Sequence, residues 1–146
     1  LLRDISAGLQ PRHMRRLLVL CTLGACDPVW HVANVTKPTP PTATNEACVD
    51  AALHETDFAV SNMGENAPKR GWYVSSRTRQ LRVTWDPEQP QSLTLLMLGV
   101  GTRPPPNALE SYRFMRDAVL VKVNARCGPF DAGPEHCLRM HCSSKP

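Results

Sequence analysis

From Asn45 onward the chain switches between a helical and an extended hydrophobic period. Val49, Ala52, Leu53, Thr56 and Val60 recur at helical spacing, with Cys48 beside the stripe. Asn45 can cap this helix and Glu46 suits its first turn, so a helix is predicted over 46–60. Asn62, Gly64, Asn66, Pro68 and Gly71 then break the pattern. Three extended segments follow. Gly71 to Arg77 carries Trp72, Tyr73 and Val74; Gln80 to Trp85 alternates Leu81, Val83 and Trp85 with Arg82 and Thr84; Ser92 to Val100 is almost continuously apolar. Alternation implies one wet face, whereas the continuous run implies burial on both faces or a central place in a sheet. A second helix is expected from Asn107, where Asn-Ala-Leu-Glu resembles a capping box closed by Glu110. Ala108, Tyr112, Met115, Val119 and Val123 form its inward stripe. Valines 119, 121 and 123 would also suit a strand, but Gly128 and Pro129 directly after Cys127 are helix stop signals and favour the helix.

This order, α-β-β-β-α over 45–128, predicts a small α+β domain: a three-stranded antiparallel sheet with two helices packed on one face. Residues 129–146 read as a loop-rich tail with Cys and His. Upstream, Pro28, Pro38, Pro40 and Pro41 among Thr, Ala and Val show no period that buries a face, so residues 26–44 read as a tether. A proline-rich tether of that length reaches roughly 50 Å.

Ahead of the tether, Arg15 and Arg16 precede an apolar run from Leu17 to Leu23, followed by Gly24, Ala25 and Cys26. Positive charge, a short apolar stretch and a small-residue end have the layout of a secretion signal over 14–25, and the run is too short to span a bilayer. Met14 is the first methionine, so residues 1–13 read as an over-extended start or a fragment. Leu23-Gly24-Ala25-Cys26 resembles the lipobox of bacterial lipoproteins. That resemblance, confined to the leader, implies export, cleavage before Cys26, and acylation of Cys26 as an anchor in a bacterial membrane facing the periplasm or the exterior. The segment Asn34-Val35-Thr36 also matches a glycosylation acceptor, which matters only in a eukaryotic setting.

The leader also changes the meaning of the charge. The whole chain carries +4, but after Cys26 there remain 13 basic and 12 acidic residues. A nearly neutral domain without a basic stripe does not fit nucleic-acid binding; Arg77, Arg79 and Arg82 read as a solvated hairpin. The roughly 120 residues after the leader allow one small domain with a thin core, of the kind that exported proteins often reinforce with disulfides. Cys48, Cys127, Cys137 and Cys142 are available and permit three pairings, which spacing alone does not decide. Two antiparallel helices on one face would bring Cys48 to Cys127, leaving Cys137 to Cys142.

Candidate chemistry is sparse. His136-Cys137 and His141-Cys142 repeat a His-Cys dipeptide with Met140 between, a donor set suited to copper or zinc. An oxidising compartment instead favours a disulfide there. His54, Glu55 and Asp57 cluster on the first helix but lack the second histidine of a zinc protease, and no nucleophile elbow or phosphate loop is present. Trp72, Tyr73 and Trp85 fit a core better than a ligand groove. The reading is therefore a non-enzymatic, cofactor-free, lipid-anchored envelope protein that binds an envelope protein or cell-wall material through its sheet. Metal binding through His136, Cys137, His141 and Cys142 is the alternative.

Overall fold

A computed structural model describes residues 29–36, 46–64, 69–140 and 142. Its elements run β1 (Val29–Val35), α1 (Glu46–His54), β2 (Ala59–Asn62), β3 (Arg70–Ser75), β4 (Gln80–Trp85), β5 (Leu93–Val100), α2 (Ala108–Cys127) and β6 (Glu135–Leu138). Among the described residues the strands form one six-stranded sheet of order β2-β3-β4-β5-β1-β6, with every pairing antiparallel.

The expected three-stranded sheet is thereby corrected. β3, β4 and β5 are its centre, and three further strands come from segments read otherwise. β1 lies within the expected tether: Pro28 and Pro38 flank the strand rather than interrupt it, and Trp30, Val32 and Asn34 alternate inward. Residues 26–28 and 37–44 of that tether lie outside the described residues. β2 occupies the end of the expected first helix. That helix stops at His54, where the Glu55 and Thr56 amides donate to Ala52 and Leu53 carbonyls and Thr56 Oγ1 donates to Leu53 O at 2.7 Å. β6 lies in the expected loop-rich tail. β2 and β6 are the sheet edges, and at four residues each they leave little unpaired backbone for another chain.

Both helices cover one face. From the strands come Trp30, Val32, Trp72, Val74, Leu81, Val83, Trp85, Leu93, Leu95 and Met97, all buried; from the helices come Val49, Ala52, Leu53, Tyr112, Met115, Val119 and Val123. Trp72 Nε1 donates to Asp50 Oδ1 at 2.8 Å, tying β3 to α1. α2 remains helical through its valines, with Val119 and Val123 inward and Val121 exposed. Its start departs from the capping-box expectation: Asn107 makes no side-chain cap bond, and its Oδ1 accepts from Arg79 Nη2 at 3.3 Å. Gly99, paired with Trp30, leaves room for the indole; a Cβ there would collide with the Trp30 ring.

β5 is central, as its apolar run implies, but only one of its faces is covered. Leu93, Leu95 and Met97 are buried, while Leu98 and Val100 are exposed on the other side.

Candidate functional site

The uncovered face of the sheet is the candidate site. Strand alternation and register place Tyr73 opposite Arg82, Arg82 opposite Leu96, Leu96 opposite Ala33, and Ala33 opposite His136, so one row crosses β3, β4, β5, β1 and β6. The neighbouring rows set His31 between Leu98 and Leu138, and Val35 opposite Thr94. The β1–β5–β6 half of the face is thus mainly apolar, with His31, His136 and Thr94 among its aliphatic side chains: Val29 is 42% exposed, Val35 49%, Leu98 53%, Val100 69% and Leu138 42%. The β3–β4 half carries Tyr73, Ser75, Gln80, Arg82 and Thr84. Side chains on β5, β1 and β6 therefore leave a largely apolar strip in water, interrupted by His31, His136 and Thr94 and bordered by polar groups on the β3–β4 side. Such exposed strips mark interaction surfaces.

A polar hub behind the face holds its β6 edge in place. Asn34, buried on β1, donates from Nδ2 to Gly133 O at 2.5 Å and accepts at Oδ1 from the Tyr112 hydroxyl at 2.6 Å. The same hydroxyl has Leu95 O at 3.2 Å as a longer second acceptor. Burial pushes the Tyr112 pKa well above its ordinary value, so the hydroxyl stays a donor. Glu135, at the start of β6, accepts from Arg113 Nε at 2.8 Å and Nη2 at 2.7 Å, and from Arg116 Nη1 at 2.7 Å. The bidentate bonds from Arg113, then the two guanidinium charges, hold the Glu135 carboxyl below its ordinary range against the opposing effect of burial.

Because the folded carboxylate is the more acidic one, this pairing contributes fully above the ordinary Glu value of about 4.3 and fades as pH falls below it. Glu135→Gln should therefore cost about 2 kcal/mol at pH 7 and progressively less towards pH 3. Paired denaturation curves at the two pH values measure this, and a difference that stays constant with pH would contradict it.

The predicted site residues fall as follows. Cys48 bonds to Cys127, with 5.8 Å between Cα atoms, joining the first turn of α1 to the end of α2. Cys137 bonds to Cys142. The second bridge takes both sulfurs of the His-Cys repeat out of the thiolate form that a metal would need. His136 stands exposed on the open face, and His31 lies diagonally across from it on β1. Among the described residues no three His, Cys, Asp or Glu side chains come together as a metal site. Cys26, the leader over 14–25, residues 1–13 and His141 lie outside the described residues. His54 and Glu55 point into solvent, His54 against Asp50 and Glu55 paired with Arg126. The glycosylation-like Asn34 is fully buried in the hub, so the folded chain offers no acceptor there.

Sequence reasoning missed the hub. Its members lie on β1, α2 and β6, and nothing local in the sequence joins them. The open face was legible in the alternation of β4 alone.

No family model matches the chain, and no curated protein or solved structure is similar to it. Among the described residues no helix is long and apolar enough to cross a membrane.

Proposed function

We propose that this chain is a small lipid-anchored protein of a bacterial cell envelope, held at Cys26, and that it acts as a non-catalytic binding module through the open face of its sheet. The observation that carries the binding role is the exposed apolar strip across β5, β1 and β6 with Tyr73 and Arg82 beside it. Export is supported by the lipobox-like run ending at Cys26 and agrees with the two disulfides, which persist in oxidising compartments. The partner fitting the surface is flat, with apolar groups that cover Leu96 and Val35 and acceptors for Arg82: an envelope protein or cell-wall material.

A photo-crosslinking side chain placed at Leu96 in living cells is expected to yield a discrete adduct. The same probe at Val121, exposed on α2, should not, and Ala33→Glu in the Leu96-probe chain should reduce the adduct at least tenfold. Equal labelling from both positions would reject the sheet face as the binding surface. Intact mass of the membrane-extracted protein reports the anchor separately, through acyl chains and the cleavage site.

A further inference from the structure

The tether reading placed the domain far from the membrane, and the position of β1 reverses this. Val29 is already paired with Val100, and only Asp27 and Pro28 separate it in sequence from Cys26. The three Cα–Cα steps from Cys26 to Val29 span at most about 10 Å, so an anchor at Cys26 would bring this end of the sheet to the bilayer surface.

That end has the chemistry of a surface resting on lipid. β5 finishes there at Val100, and β6 finishes there with Leu138 beside His31. β4 starts there because it runs opposite to β5, so the β3–β4 turn closes at the same end. Val29, Leu98, Val100 and Leu138, four of the exposed apolar side chains of the sheet, crowd within two residues of this rim. Around them stand three exposed arginines, each on a segment leaving the rim: Arg77 in the β3–β4 turn, Arg103 after β5 and Arg139 after β6. The three segments, 76–79, 101–107 and 139–140, contain no carboxylate. In sequence the nearest acidic positions are Glu110, in the first turn of α2, Glu135, which is paired with Arg113 and Arg116, and Asp86, in the turn at the other end of the sheet; Asp57 precedes β2, whose first residue lies opposite Ser75 at this end. The opposite end of the sheet carries both signs in pairs: Asp86 of the β4–β5 turn with Lys69 at 3.3 Å, and Arg70 at the start of β3 with Glu46 at 3.1 Å.

We infer that the Val29–Val100 end of the sheet rests on an anionic bilayer, with Val29, Leu98, Val100 and Leu138 at the headgroup–acyl boundary and Arg77, Arg103 and Arg139 on the phosphates. This inference rests on the Cys26 anchor proposed above. Apolar side chains ringed by basic ones are the pattern of interfacial membrane contact, and a span of about 10 Å from the anchor keeps the arginines within a Debye length of the lipid charge. The sheet then stands on its end; lipid takes the Val29, Leu98, Val100 and Leu138 part of the strip, and the remainder, the Tyr73–Arg82–Leu96–Ala33 row with Val35, stays clear of the bilayer for a partner.

The test uses the full chain, extracted from membranes and reconstituted into phosphatidylcholine vesicles containing phosphatidylglycerol and brominated acyl chains. Two variants report position: Val100→Trp at the proposed contact and Gln89→Trp in the far turn. The native tryptophans Trp30, Trp72 and Trp85 are buried and provide a common background. In protein whose intact mass confirms acylation, bromine should quench the added Val100→Trp signal several-fold more than the Gln89→Trp signal. Replacing Arg77, Arg103 and Arg139 by Gln should narrow that contrast, as should high salt. Equal quenching of the two variants, or none, in acylated protein overturns the docking and leaves the anchor standing. Absence of acyl chains from the mass overturns the anchor, and the docking with it.

Discussion

Replacing Cys48 and Cys127 together by serine is expected to lower the stability of the domain by about 4 kcal/mol. The bridge spans 79 residues of sequence, and chain-entropy reasoning assigns a loop of that length a cost of about this size in the unfolded state when it is closed. A domain of this size has about 5–15 kcal/mol in total, so the loss is a large fraction. The midpoint of thermal unfolding should fall by roughly 15 °C or more. Scanning calorimetry on the double variant measures it, and a drop of only a degree or two would mean that α1 and α2 are held by packing alone. The Cys137–Cys142 bridge closes a loop of sequence separation five and should matter much less: about 2 kcal/mol, confined to the end of β6.

Trp72→Ala is expected to cost a comparable amount, about 3–5 kcal/mol. The indole is buried on the covered face, between β2 and β4, where it opposes Asn62 on one side and Val83 on the other. Truncation removes its apolar area from the core and leaves a cavity that the rigid sheet cannot close. Trp72→Phe separates the contributions. It keeps most of the ring but loses the 2.8 Å bond to Asp50, whose half-exposed carboxylate can turn to water. The Phe variant should therefore lose only about 1–2 kcal/mol. Chemical denaturation of both variants checks the order, and a Phe variant as unstable as the Ala variant would show that the hydrogen bond rather than the packing dominates.

The Cys48–Cys127 bridge and Trp72 mark what local pattern can and cannot reveal. β4 was legible because period two shows wherever one face is wet, whereas β3, with Trp72, Tyr73 and Val74, and β5, with its continuous apolar run, were legible as aromatic and aliphatic segments between turn signals. The second helix was legible through its stripe and its Gly-Pro stop. The Cys48–Cys127 pairing followed from where the two stripes put their ends. β1 was hidden for a physical reason: one of its three inward positions is Asn34, which is tolerable in a core only because Tyr112, Gly133 and Arg116 satisfy it from distant segments. An apolar-period search sees a polar residue there and finds no strand. β2 and β6 are short edges whose conformation depends on the neighbour they pair with, so their own residues carry little signal. The open face was partly legible. Leu98 and Val100 read as buried because a continuous apolar run cannot distinguish a strand covered twice from one whose outer face awaits a partner.

The sheet order also sets a sequence of events in time. β1 is the earliest described strand of the chain, yet its backbone partners are β5 and β6, the last two. The β3–β4 hairpin can form as soon as it is made, whereas β1 must stay unpaired until β5 has emerged, and completes its pairing only with β6. Topologies closed by such remote pairings mature in milliseconds to seconds rather than microseconds. During that interval the Val29–Val35 ribbon is a ready template for mispairing with a neighbouring chain, so a chaperone would do most good by shielding those seven residues.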